Sequence, residues 1–255
     1  MSAARDRYLA EIGIPVWRLR WSASADGARG GPPAGAALAA SDSTDSAIAV
    51  PPDADMWSEL KARVSGCTRC GLHTSRTQTV FGVGRRDAQL FVIGEAPGAD
   101  EDKSGHPFWG RAGQVLNSLL EAAGITREQV WITNTVKCRP TQVSGKRVSN
   151  RAPRVPEIKA CEIWRAGELD IIKPRVVACL GAVAAKAIMG RDVKMTAERG
   201  QWFPFPMPIA GMEHTEVTVT YHPSYIMRQE GEAYDRIRAQ ADADFAAIAS
   251  KLASL

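Results

Sequence analysis

The chain has 255 residues, 45% of them hydrophobic, which is enough for one large domain or two small ones. No apolar run approaches the ~20 residues that a transmembrane helix needs, so no such helix is expected. Lys and Arg number 32 against 28 acids, and the net charge of +4 points weakly to a polyanionic partner.

The chain opens on Arg5, Asp6, Arg7 and Glu11 rather than on a charged-then-apolar leader, so a cytoplasmic protein without membrane association is expected. Residues 1–21 then carry Ile12, Ile14, Trp17 and Leu19 among arginines. Apolar anchors of that kind on a flexible tether have the character of a docking peptide. Residues 22–55 are rich in Ala, Gly, Pro, Ser and Asp, with Leu38, Ile48 and Val50 as the only bulky aliphatics. Such a segment cannot bury enough surface to offset its ordering entropy, and it reads as a linker. The folded domain is expected over 56–255.

A helix over 56–66 leads into Cys67-Thr-Arg-Cys70. Leu90-Phe-Val-Ile-Gly94 reads as a buried strand, and 112–123 as an amphipathic helix ending near Gly124. Val130–Thr133 is a second strand. Pro156 opens a helix to about residue 169, as proline in a first turn does. Arg175–Leu180 is a third strand, followed by an Ala-rich helix to about Met189. Glu216–Thr220, alternating apolar residues with Thr, is a fourth strand, and a long helix covers about 232–252. Strands alternating with helices predict an α/β fold, a three-layer α/β/α domain with a mostly parallel four-stranded central sheet. No internal repeat is present.

The most informative stretch is Gly94-Glu-Ala-Pro-Gly98 and its continuation to Gly110. The two glycines let the backbone turn sharply and approach a ligand. Glu95, Asp100, Glu101 and Asp102 crowd one loop, and Phe108-Trp109 follows. A loop at the carboxyl end of a parallel strand is where open α/β sheets bind ligands. The stretch therefore reads as a pocket with acids and a stacking surface; the plainer alternative is a capped, solvated turn. Residues 137–154 hold six cations, among them Lys146 and Arg147, and no acid, which suits phosphate contact or a solvated loop. Five cysteines in a cytosolic chain argue against a disulfide framework. Cys67, Cys70, Cys138 and Cys161 could ligate zinc or a [4Fe–4S] cluster, and spacing does not choose between them. Cys179 lies within a strand and reads as a small apolar residue.

Four blocks, in order, resemble family 4 uracil-DNA glycosylases: the Gly94–Gly113 stretch, Thr133-Asn134-Thr-Val-Lys-Cys138-Arg-Pro140, His222-Pro-Ser-Tyr-Ile-Met-Arg228, and the cysteine pattern. The resemblance covers about residues 57–252. It implies a uracil-DNA glycosylase-like fold and a monofunctional enzyme of base excision repair. Such an enzyme hydrolyses the N-glycosidic bond of flipped-out deoxyuridine in DNA and leaves an abasic site. It also implies the [4Fe–4S] cluster over zinc. By the same resemblance Phe108 stacks on uracil, Asn134 reads its edge, and His222 supports charge developing on O2. Pro223 and Ser224 press on the DNA backbone, Tyr225 or Ile226 fills the gap left by the base, and Arg228 holds a phosphate, with Lys146 and Arg147 as further DNA contacts. Glu101 is the first choice for placing water or stabilising the sugar, with Glu95 and Asp102 behind it. Ala96 takes a substrate-binding position where a related family carries aspartate.

Some relatives carry an insert ending in Lys-Arg-Arg-Ile-His and trap the sugar through its histidine. Gly145-Lys-Arg-Val-Ser-Asn150 resembles that insert, with Asn150 in the histidine's place, so turnover is expected rather than a covalent adduct. Residues 5–20 resemble the N-terminal segment of the psi subunit of the bacterial replicative clamp loader, which implies a tether to that assembly. The protein is otherwise expected to be a monomer. The competing expectation is a catalytically weak iron–sulfur DNA-binding or clamp-loader-associated subunit.

Overall fold

The computed structural model describes residues 52–255, with side chains from Met56 onward. The docking peptide expected over 1–21 and the linker up to residue 51 lie outside the described residues. The first helix is Pro52–Ser65, so it starts four residues before the helix expected over 56–66.

In chain order the elements are α1 (Pro52–Ser65), β1 (Val83–Gly84), β2 (Leu90–Gly94), α2 (Ala99–Ser104), α3 (Arg111–Ala122), β3 (Trp131–Asn134), β4 (Thr141–Ser144), β5 (Arg147–Asn150), α4 (Val155–Ile172), β6 (Val176–Leu180), α5 (Ala182–Met189), α6 (Met195–Glu198), β7 (Trp202–Pro204), β8 (Glu216–Thr220), α7 (Pro223–Ile226) and α8 (Gly231–Ala253). The main sheet has six strands in the order β1-β3-β2-β6-β8-β7. The four inner strands are the four expected from sequence, and they run parallel. The two edge strands are additions and pair antiparallel. They hold two and three residues and include Gly84 and Pro204, too short to show an alternating pattern.

Strands β2, β3 and β6 are buried along their whole length, as parallel strands covered on both faces must be. Alternate side chains serve opposite cores. Phe91, Ile93, Trp131, Val177 and Val217 join α1, α4 and α5 on one face. Leu90, Val92, Ile132, Ala178 and Leu180 join α3, α7 and α8 on the other. Cys179 is fully buried in β6, and burial pushes its thiol up. No helix among the described residues is long and apolar enough to cross a membrane.

Two features of this frame locate a site. From β2 the chain crosses through α3 to β3 on one side, while β6 lies on the other, so β2 is the switch point of the sheet. In the parallel register Gly94 stands beside Asn134, and the carboxyl ends of β2, β3, β6 and β8 open at one edge. Below that edge lies a fully buried ion pair, Lys137 Nζ to Glu168 Oε2 at 2.6 Å. The Lys137 ammonium also donates to Thr133 Oγ1 and, at 3.1 Å, to the Asn134 carbonyl. Glu168 in turn accepts from the Gly82 amide at 3.3 Å.

The expected basic loop over 137–154 is in part an antiparallel hairpin, β4 and β5, with Val143 opposite Val148. Gly145, at φ 59°, takes the first central position of its two-residue turn, where a type II′ hairpin needs a left-handed residue.

Candidate active site

The loop from Gly94 to Gly110 is tied to itself by one side chain. Glu101 Oε2 accepts from the Gly98 amide at 3.0 Å, and its Oε1 accepts from the Gly110 amide at 3.5 Å. Asp102 is buried and accepts from both the amide and the hydroxyl of Thr77, at 2.9 and 2.7 Å. That commits Asp102 to anchoring the loop. Phe108 follows at φ 51°, a left-handed conformation that costs ~1–3 kcal/mol in a non-glycine residue. Its carbonyl presses on Gly113, where a Cβ would meet the Phe108 oxygen at 1.7 Å.

The floor of the site is equally tight. A Cβ on Gly94 would lie 2.4 Å from the Phe108 ring and 2.5 Å from Asn134 Oδ1. Asn134 is buried, and its Oδ1 has no hydrogen-bond partner. A buried acceptor left open costs about 1–3 kcal/mol, so this atom is poised for a donor from outside. His222 caps α7. Its Nδ1 accepts from the Ser224 amide at 3.1 Å and lies 2.8 Å from Ser224 Oγ. A backbone amide can only donate, so Nδ1 is bare and the ring hydrogen sits on Nε2. Burial, assisted by the nearby Arg228 cation, lowers the His222 pKa to about 4. The ring is therefore a neutral donor. It lies 5.7 Å from the Phe108 ring, inclined by 33°.

These groups share one cleft of about 310 Å³. Of the residues named from sequence, Ala96, Glu101, Phe108, Asn134, His222 and Ser224 line it. Asp100, Arg111, Asn150 and Met227 line it as well. Asp100 was visible in sequence only as one of four crowded acids; its place beside Gly110 is set by the fold. Glu95 does not line the cleft, and burial raises its carboxyl above the usual range while Arg228 pulls it back. Pro223 is buried, Tyr225 is exposed, and Arg228 is exposed with its guanidinium donating to Ser224 Oγ at 3.3 Å. Ile226 corrects the sequence reading. It is fully buried in the core between the sheet and α8, so it has no surface to offer DNA, and Tyr225 is the exposed member of that pair. Lys146 and Arg147 project from the exposed hairpin outside the cleft.

Cys67, Cys70, Cys138 and Cys161 line a second cavity, walled by Val64, Leu72, Val136 and Trp164. Three of the sulfurs receive N–H donors: Trp164 Nε1 to Cys67 at 3.2 Å, Arg76 to Cys138 at 3.1 Å, and the Lys137 amide to Cys161 at 3.3 Å. Burial pushes the Cys161 thiol up to about 12 and raises Cys138, against the pull of Arg76. Among the described residues no three His, Cys, Asp or Glu side chains are gathered as the ligands of a single ion.

The sequence that builds this cleft has counterparts among known proteins. The profile of the Uracil DNA glycosylase superfamily matches residues 81–251, so the chain is a glycosylase of that superfamily, a hydrolase of N-glycosyl bonds. Relatives narrow this further. The chain is 41% identical over 179 residues to a type-4 uracil-DNA glycosylase of Thermotoga maritima, covering 70% of this chain and 86% of that one. It is 38% identical over 180 residues to one from Pyrobaculum aerophilum (67% and 84%), and 33% identical over 192 residues to one from Archaeoglobus fulgidus (74% and 90%). The chain belongs to the type-4 uracil-DNA glycosylase family.

The histidine geometry has a pH consequence. Unfolded, His222 titrates near 6.5; folded, near 4. The neutral ring thus contributes stability that is complete above 6.5 and lost as pH falls toward 4. Histidine NMR on the folded protein should show one of the four rings uncharged, with hydrogen on Nε2, from about pH 8 down to about pH 5, and that signal absent from His222→Ala. A His222 resonance titrating near 6.5 would contradict the assignment.

Proposed function

We propose that the cleft takes up a uracil flipped out of DNA and that the protein hydrolyses its bond to deoxyribose, leaving an abasic site. The observation that carries this reading is the buried, unpartnered Asn134 Oδ1 beside an aromatic face and a neutral histidine donor. Uracil presents N3–H to that oxygen, and its O4 can accept from the Asn134 amide. Cytosine offers an amine where O4 would accept and an unprotonated N3, so it leaves buried groups unpaired at about 1–3 kcal/mol each. Phe108, held by its strained backbone, stacks on the ring. As the C1′–N1 bond breaks, its electron pair moves onto uracil, and the His222 Nε2–H stabilises the charge gathering on O2. A neutral donor suits this task, because it keeps its hydrogen throughout.

Water must add to C1′ from the other side and lose a proton. Glu101 lines the cleft but has an oxygen engaged by the Gly98 amide, and it holds the loop in shape. Asp100 has no hydrogen bond or ion pair among the described residues, and it is exposed at the cleft wall. The water is held between these two carboxylates, with its proton passing to one of them and then to solvent. Glu95, partly buried and facing the Arg228 charge, stands outside the cleft and is not needed to hold the water. Ala96 leaves room for the base, while buried Pro223 opens α7 and Ser224, at the cleft wall, meets the DNA backbone. Tyr225 supports the vacated stack, and Arg228 meets a phosphate. Asn150 at the cleft rim is a poor nucleophile, which supports turnover without a covalent adduct.

The cavity lined by four cysteines fits a [4Fe–4S] cluster. Four sulfurs share it, Val64, Leu72, Val136 and Trp164 wall it, and N–H donors to thiolate sulfur are a recurrent means of tuning such clusters. Cys67, Cys70, Cys138 and Cys161 would hold it, and it would supply iron–thiolate cross-links among the segment after α1, the loop after β3, and α4. Residues 5–20 carry a further proposal on sequence pattern alone, that the enzyme is tethered to the replicative clamp loader.

A labelled uracil-containing oligonucleotide incubated with the protein and then treated with alkali should break at uracil. His222→Ala should slow this about 100- to 1,000-fold, and Asn134→Ala should also lose it. No cleavage by a brown, folded protein that still binds DNA would favour the non-catalytic subunit instead. Cys70→Ala should be colourless and poorly folded; an unchanged visible spectrum would refute that ligand. A clamp loader retained equally by a chain lacking residues 1–21 would end the tether proposal.

A further inference from the structure

Apart from Asn150, which lines the cleft, the β4–β5 hairpin is absorbed neither by the cleft nor by the core. It forms a two-stranded sheet of its own, and a lone hairpin is at best marginally stable in water. Its root is nevertheless stiff. The Arg151 amide donates to the Pro140 carbonyl at 3.1 Å and its Nε to the Thr141 carbonyl at 3.0 Å. The same guanidinium is clamped by both oxygens of Glu157, at 2.6 and 2.8 Å. Arg139 Nε donates to Asn150 Oδ1 at 2.7 Å.

On this braced ribbon Val143 and Val148 stand directly opposite each other, 71% and 53% exposed. Opposite residues of an antiparallel pair project from the same face, and so do residues two positions along. Asn150 is two positions from Val148, pairs with Thr141, and lines the cleft. The valine pair therefore lies on the face that continues the cleft wall outward. Lys146 and Arg147 sit at the tip, and the whole segment 137–154 lacks acids.

We infer that this ribbon is a duplex-reading arm, whose valine pair packs into a groove of double-stranded DNA beside the flipped nucleotide while the cations at its tip hold the flanking phosphates. The inference rests on the cleft's reading as a DNA-base pocket. Charge selects a polyanion, and shape selects the duplex. A two-stranded ribbon matches a groove, and apolar side chains entering a groove beside basic ones are a recurrent device for holding deformed DNA. Single strands are gripped instead by aromatic stacking, and residues 137–154 contain no aromatic residue.

The test uses the full-length protein with the double variant Val143→Ser/Val148→Ser and, separately, Lys146→Gln/Arg147→Gln. Single-turnover cleavage is followed on the same uracil oligonucleotide, single-stranded and annealed, and anisotropy of a uracil-free duplex is followed against salt. The serine variant should raise the half-saturating protein concentration for duplex about tenfold, with less than about a twofold change on single strands and an unchanged salt slope. The glutamine variant should flatten the slope of log affinity against log salt by about 1.8, for two phosphates released. Equal effects of the serine variant on both substrates, or none on either, overturn the inference. A wild-type protein that cleaves neither substrate overturns the base-pocket reading instead, and the anisotropy arm still reports on the ribbon.

Discussion

The buried pair of Lys137 and Glu168 is the constraint on which both working regions of the molecule depend. Lys137 lies between Asn134, whose carbonyl it holds, and Cys138, its neighbour in the cysteine cavity. Glu168 is on α4, one of the helices that supply that cavity, and it also holds Thr133 and the Gly82 amide. Two charges removed from water do not stabilise a fold for free, and an apolar pair of similar volume would often serve stability as well. Removal of one partner alone is a different matter, worth about 3–5 kcal/mol, because the survivor stays buried and unpaired. The pair makes the end of β3 specific: it fixes which carbonyl turns inward and hence where the Asn134 side chain emerges.

Around that fixed strand end the site is assembled by exclusion. Gly94 leaves no space for a side chain between Phe108 and Asn134, and Gly113 leaves none beneath the Phe108 carbonyl. The left-handed Phe108 is held because Glu101 ties the loop's two ends together and Asp102 anchors it to Thr77. Across the cleft the Ser224 amide fixes the His222 ring by one directional hydrogen bond. None of these devices needs the substrate to be present, so little rearrangement remains to be made when the base arrives.

The parallel centre of the sheet is legible because fully buried strands write themselves as short apolar runs, as Leu90–Ile93 and Val176–Leu180 do. The edge strands are not, since Val83–Gly84 and Trp202–Pro204 owe their pairing to neighbours rather than to pattern. In the sequence the hairpin at 141–150 shows only as part of a basic segment, because the charges around Val143 and Val148 mask their pairing. Most cleft residues were reachable through motif resemblance, but their division of labour was not. That Asp102 is a buried anchor, that Asp100 faces the cleft, and that Ile226 belongs to the core all depend on distances the chain does not encode locally. Lys137 and Glu168, 31 positions apart, show the same limit: neither residue signals the other.

The distribution of free space around the glycines determines where this protein can vary. At Gly82, Gly94 and Gly113 even a single added carbon collides with an aromatic ring or a carbonyl, so these positions are closed to drift. At Gly145 the same carbon would meet nothing within 4 Å, and only the local backbone preference resists it. The chamber thus resists added bulk through collision, whereas the tip of the ribbon resists it through backbone conformation alone.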